Sequence, residues 1–118
     1  VVIIIAAAFL LSNNIDSSQT NVVSEIKLEL SVQTDLSSYA KSDLISINGV
    51  SQNSKIVNLS IFNPNNELVW AEQVSVKSDG RYSTLAIADG EGWSNSGNYN
   101  LKVNNGFEMK SNIFKFNS

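Results

Sequence analysis

Seven stretches of this chain alternate apolar and polar residues with a period of two, and turn-forming residues separate them. A period of two places alternate residues on opposite faces of an extended strand, so each stretch can bury one face and wet the other. Ile26, Leu28, Leu30 and Val32 alternate with Lys27, Glu29 and Ser31. Ile45 and Ile47, followed by the small Gly49, form a second stretch. Val57, Leu59 and Ile61 form a third, with Asn58 and Ser60 facing out. Residues 68–76 form a fourth whose alternation is imperfect, which predicts a bend or bulge. Residues 81–88, then Tyr99, Leu101 and Val103, then residues 107–116 complete the set. Between them, Asn63-Pro64-Asn65-Asn66 is a turn with proline at its second position, and Asp79-Gly80 and Asn104-Asn105-Gly106 are tight-turn sequences. No amphipathic helical pattern falls between Ile26 and Ser118. The pattern predicts an antiparallel β-sandwich of about seven strands.

The first residues follow another rule. Val1, Val2, Ile3, Ile4, Ile5, Ala6, Ala7, Ala8, Phe9, Leu10 and Leu11 are apolar without interruption. Three consecutive alanines favour helix, although valine and isoleucine pull toward strand. The expectation is a short hydrophobic helix, which, being apolar all round, needs cover on every side. Lipid, the same protein or neighbouring copies are the available covers. Eleven residues fall short of the roughly 20 that span a bilayer. Residues 12–20 (SNNIDSSQT) are polar and turn-rich, a hinge into the domain. The chain therefore divides into a hydrophobic assembly segment with its hinge, residues 1–24, and a sandwich, residues 25–118.

Composition narrows the chemistry. Eight Lys and Arg against 11 Asp and Glu give a formal net charge of -3. The basic residues are scattered, which speaks against nucleic acid as a partner. With no Cys and no His, the chain lacks a thiolate nucleophile, a disulfide framework, the commonest general base and the commonest metal ligand. No serine sits in a G-x-S-x-G elbow, and no glycine-rich phosphate loop occurs. The expectation is a protein that is not an enzyme, with no cofactor and no metal.

Several segments resemble immunoglobulin-like modules of prokaryotic cell surfaces. Tyr39-Ala40-Lys41-Ser42-Asp43 followed by Leu44-Ile45-Ser46-Ile47-Asn48-Gly49 is similar to their Y-x-x-G-D-x-V-x-I-x-G opening. Residues 57–69 (VNLSIFNPNNELV) resemble their V-x-I-x-V-x-D-P-x-G-x-x-V hairpin. Ser78-Asp79-Gly80-Arg81-Tyr82-Ser83 resembles their D-G-x-F-S turn, and residues 93–103 their W-x-x-x-G-x-Y-x-v-x-V strand. Ser42 stands where the pattern has Gly, and Asn63 and Asn66 where it has Asp and Gly. An apolar segment ahead of such a sandwich is similar to archaeal type IV pilins and archaellins. That resemblance implies cleavage before the segment, helices bundled in a filament core and sandwiches outside. Archaeal thread-like and bundling pili are also similar in outline. They imply an alternative in which the N-terminal segment completes a neighbour's sandwich by β-strand addition.

Among single residues, Trp93 lies in a glycine-rich loop and is expected to cap one end of the core rather than to contact a carbohydrate or partner. Trp70 falls on a strand of unclear phase and is a candidate surface contact. Asp89-Gly90-Glu91-Gly92 offers two carboxylates, too few oxygens for Ca²⁺, and reads as a solvated turn. Asp35 with Asp43 is an equally weak pair. Asn58-Leu59-Ser60 is a glycosylation sequon whose Asn58 faces away from the core. Together these readings predict the homopolymeric subunit of an extracellular, pilus-like surface filament, associated with membrane before assembly. The alternative is a membrane-anchored adhesion or spacer module.

Overall fold

The computed structural model describes residues 29–118. The expected helix at residues 1–11, the hinge, and Ile26 and Leu28 lie outside the described residues. Eight strands follow in order: β1 (Gln33–Thr34), β2 (Ser38–Ala40), β3 (Leu44–Val50), β4 (Ile56–Phe62), β5 (Leu68–Ser75), β6 (Arg81–Ile87), β7 (Gly97–Asn104) and β8 (Met109–Asn117). They form two sheets, ordered β1-β3-β6 and β2-β8-β7-β4-β5. No helix occurs among the described residues.

The alternation decides which side chains meet between the sheets. Val57, Leu59 and Ile61 of β4 are buried, as are Tyr99, Leu101 and Val103 of β7. From the other sheet come Ile45 and Ile47 of β3 and Tyr82 and Ala86 of β6. Each large apolar side chain removed from water contributes about 1.5–3 kcal/mol before chain entropy is charged against it. Phe114 and Phe116 of β8 join Tyr39, Trp93 and Tyr99 in an aromatic cluster at one end. Tyr39 meets Phe114 edge-on at 5.4 Å.

Three features depart from the sequence expectation. The first is the opening strand. Within its described part, Leu30 makes only an isolated bridge to Ser51, and regular pairing waits until Gln33 and Thr34 face Asn48 and Ile47. Side chains interrupt the ladder here: Ser31 Oγ accepts from the Val50 N–H at 3.1 Å, and Tyr82 donates its hydroxyl to the Ser31 carbonyl at 2.6 Å. The second is an additional strand. After Thr34 the chain crosses to the other sheet, and β2 lies parallel to β8, with Tyr39 opposite Phe116. One parallel pair thus sits in an otherwise antiparallel sandwich. Asp35 guides the crossing by accepting from the Tyr39 hydroxyl and from the Ser46 N–H, the latter at 3.2 Å. The third is the strand count, eight among the described residues alone in place of about seven.

Other details agree with the expectation. The fourth expected strand, here β5, is irregular, with a register shift between Ile61 and Phe62 of its partner β4. The proline turn closes through the Asn66 N–H to the Asn63 carbonyl at 2.8 Å. Ser42 and Asn66, with φ of 71° and 64°, are the two non-glycine residues in the left-handed region among the described residues.

Candidate functional site

Turn chemistry fixes the two ends of the sandwich. At one end Trp93 is buried and stacks on Tyr99, with ring centroids 4.7 Å apart and planes 15° from parallel. Phe116 meets it edge-on at 5.2 Å. Trp93 therefore caps the core, as its loop position implies, and no carbohydrate platform is built on it. Asn63 holds the neighbouring turn, a role the sequence reading did not assign. Its Oδ1 accepts from the N–H groups of Asn65 and Glu67 at 3.0 and 2.9 Å, and its Nδ2 donates to Glu67 Oε1 and the Gly92 carbonyl at 2.9 and 3.1 Å. One buried carboxamide thus ties the proline turn to the Trp93 loop. The signal was present in the sequence as an Asn two residues before another Asn in a turn, an Asx arrangement.

The acidic candidates do not converge. Asp89 Oδ2 accepts from the Ser42 hydroxyl at 3.2 Å and its Oδ1 from the Gly90 N–H at 2.8 Å. Asp43 Oδ2 accepts from the Ala40 N–H at 2.8 Å. Asp35 is occupied at the crossing. Its Tyr39 hydrogen bond, seconded by the Ser46 N–H, holds its carboxyl below the usual carboxylate range. Burial pushes the Tyr39, Tyr82 and Tyr99 phenols up. Among the described residues no group of three His, Cys, Asp or Glu comes together around a metal-sized site. These carboxylates act as turn acceptors.

The surfaces carry more than the loops do. Trp70 pairs with Ile61, which puts it on the inward side of β5. It is half-buried and packs against the core at the sheet edge. Asn58 is exposed on the outward side of β4, where its Oδ1 accepts from Gln73 Nε2 at 3.2 Å. That outward face of the five-stranded sheet was not singled out by the sequence reading. Leu68, Met109 and Ile113 are exposed on it, and Phe62 is half-buried. Lys102 spans the Phe62 ring with its Nζ 4.8 Å from the centroid. Lys102 and Lys115 project from this face, and by register no carboxylate does. A smaller apolar group, Leu44, Leu85 and Ile87, lies on the outward side of the three-stranded sheet.

The sheet edges are the other accessible feature. β5 and β6 each have one strand neighbour, and Thr84 of β6 donates to Glu72 Oε1 of β5 at 2.6 Å. Ladder bonds alternate in direction along an antiparallel strand, so each of these strands turns half its backbone groups away from its neighbour. No described helix is long and apolar enough to cross a membrane.

No protein-family model matches the chain, and no curated protein matches it in sequence. Solved structures do. Salmonella alpha-2-macroglobulin reacted with methylamine superposes with a TM-score of 0.63 at 14% identity, over 75% of this chain and 6% of that one. Trypsin-activated alpha-2-macroglobulin from Escherichia coli gives 0.59 at 13% identity, over 82% of this chain and 7% of that one. The chain thus spans under a tenth of either protein, and identities this low establish fold alone. The described domain is a two-sheet β-sandwich. Such a fold serves many functions, so function rests on what this chain does with its surfaces.

Proposed function

We propose that the protein is a structural subunit of an extracellular, pilus-like filament. Residues 1–11 polymerise it, and the sandwich forms the outer surface. One observation carries this reading: side chains between Leu30 and Phe116 supply the buried core cluster, while the carboxylates that might do chemistry are spent on turns. On this reading the uninterrupted apolar run of residues 1–11 acts between molecules. Its large side chains gain about 1.5–3 kcal/mol each on leaving water. Copies of the same segment are the partner always at hand, and a heterologous contact that does not close gives a helical polymer. Lipid would hold the segment before assembly.

A second mode of assembly is favoured by the edges of β5 and β6. Either would accept an added strand through its outward backbone groups, with residues 1–5 as the donor from a neighbouring copy. Both modes place the driving contact in residues 1–11. The reading of a membrane-anchored adhesion or spacer module differs, because it needs no self-association. Electron microscopy of the purified full chain and of Ile4→Asp separates them: filaments in the first and none in the second support assembly, and dispersed particles in both support the anchored module.

A further inference from the structure

The β7–β8 turn presents Phe107, which at 73% exposure is the most exposed large apolar side chain among the described residues. The turn is braced. Asn105 Oδ1 accepts from the N–H groups of Phe107 and Glu108, both at 2.8 Å, and Asn104 Oδ1 accepts from the Gly106 N–H at 2.7 Å. Asn105 Nδ2 in turn donates to Ser51 Oγ at 3.3 Å. A side chain on so fixed a turn gives up little backbone freedom on binding, which suits an aromatic to anchor an interface.

The outward face of the five-stranded sheet holds a depression of about 420 Å³. Phe62, Leu68, Ala71 and Met109 wall it, and Lys102 crosses it. Its surface is mostly apolar, Asn58, Ser60 and Asn104 also line it, and Lys102 is its one charged group. Phe107 is apolar with one anion beside it, Glu108. Knob and hole match in both respects. Met109 lies two residues from Phe107 and is also a wall of the hole, so the giving turn borders the receiving depression.

We infer that Phe107 and Glu108 of one copy dock into the Phe62–Leu68–Met109 depression of a second copy, with Glu108 meeting Lys102. Because the turn borders the depression, a two-fold axis lets each copy give and receive. Charge complementarity favours this orientation. A plain face-to-face stacking would oppose the two Lys102 cations instead. The contact joins sandwich to sandwich and does not use residues 1–11.

Sedimentation velocity on the full chain carrying Ile4→Asp isolates this contact from assembly through residues 1–11. Dimerisation is expected, weakened at least about tenfold by Phe107→Ser and similarly by Lys102→Glu. Placing Lys102→Glu and Glu108→Lys in the same chain should restore it. Phe107 is exposed, so Phe107→Ser should melt with the parent, which excludes unfolding as the cause. A monomeric parent, an unchanged dimer in Phe107→Ser, or a double reversal no better than Lys102→Glu alone would overturn the docking. Filaments surviving Ile4→Asp would count against assembly through residues 1–11 and leave the Phe107 comparison intact.

Discussion

Tyr82 donates its hydroxyl to the Ser31 carbonyl across 2.6 Å, and Gly49 makes the approach possible. A Cβ at Gly49 would sit 2.0 Å from the Ser31 oxygen and 2.6 Å from the Tyr82 hydroxyl. The first described segment is therefore strapped to β3 by a close backbone contact and a buried phenol. Tyr82→Phe strands the Ser31 carbonyl and should cost about 1–2 kcal/mol. Gly49→Ala must displace the segment and should cost about 3 kcal/mol. Urea denaturation checks both, and Gly49→Ala costing less than Tyr82→Phe would refute the strap.

Three positions depart from the surface-module pattern, and the structure separates them. Ser42 and Asn66 sit at φ of 71° and 64°, where a Cβ is strained. Ser42→Gly should stabilise by about 0.5–1 kcal/mol, raising Tm by a few degrees. Asn66→Gly should gain less, since Asn tolerates this region better than Ser does. Asn63→Asp should do the opposite. The Nδ2 donor it removes faces Glu67 Oε1 and the Gly92 carbonyl, so a carboxylate would point at two acceptors. A loss of about 2–3 kcal/mol is expected. Calorimetry of the three single variants decides the matter, and a stabilising Asn63→Asp would show that the carboxamide network is unimportant.

Stability should be flat across neutral pH, because the chain has no His. On the acid side, the Tyr39 hydroxyl holds the folded pKa of Asp35 below its ordinary value of 3.8. Its contribution is present above that unfolded value and fades as pH falls through the lower folded one. On the alkaline side burial raises the phenols of Tyr39, Tyr82 and Tyr99 above their ordinary value of 10.0. Their contribution is complete below pH 10 and is lost as pH rises beyond it. Melting temperatures from pH 3 to pH 11 should trace a plateau with both shoulders. Tyr82→Phe should soften the alkaline shoulder, and an unchanged shoulder would assign the loss to other groups.

Much of the sandwich was legible in the sequence because strand period and burial are one signal. Val57, Leu59, Ile61, Tyr99, Leu101 and Val103 alternate in the chain and are buried in the fold. Trp93 was legible because a loop tryptophan beside an aromatic strand has the core end to fill. The crossing through Asp35 and Tyr39 was not, since it depends on a contact between sheets that no local period encodes. Asn63 was legible as an Asx turn, but its bond to the Gly92 carbonyl was not, since Gly92 lies 29 residues on. The outward face was hidden for another reason. Phe62 and Leu68 become neighbours only through the β4–β5 bulge, and Met109, in line with Asn104 and Asn58, reaches the same depression from four residues along β4. Alternation marks which face a residue takes and does not say which residues of different strands will touch.

On the proposed reading, residues 1–11 drive polymerisation while the sandwich folds without them. Negative-stain electron microscopy of the full chain beside Ile4→Asp, with circular dichroism on the same samples, tests it most directly. The expected result is filaments from the parent, dispersed particles from Ile4→Asp, and the same β-sheet spectrum and cooperative melt in both. Filaments from Ile4→Asp indistinguishable from those of the parent would contradict it.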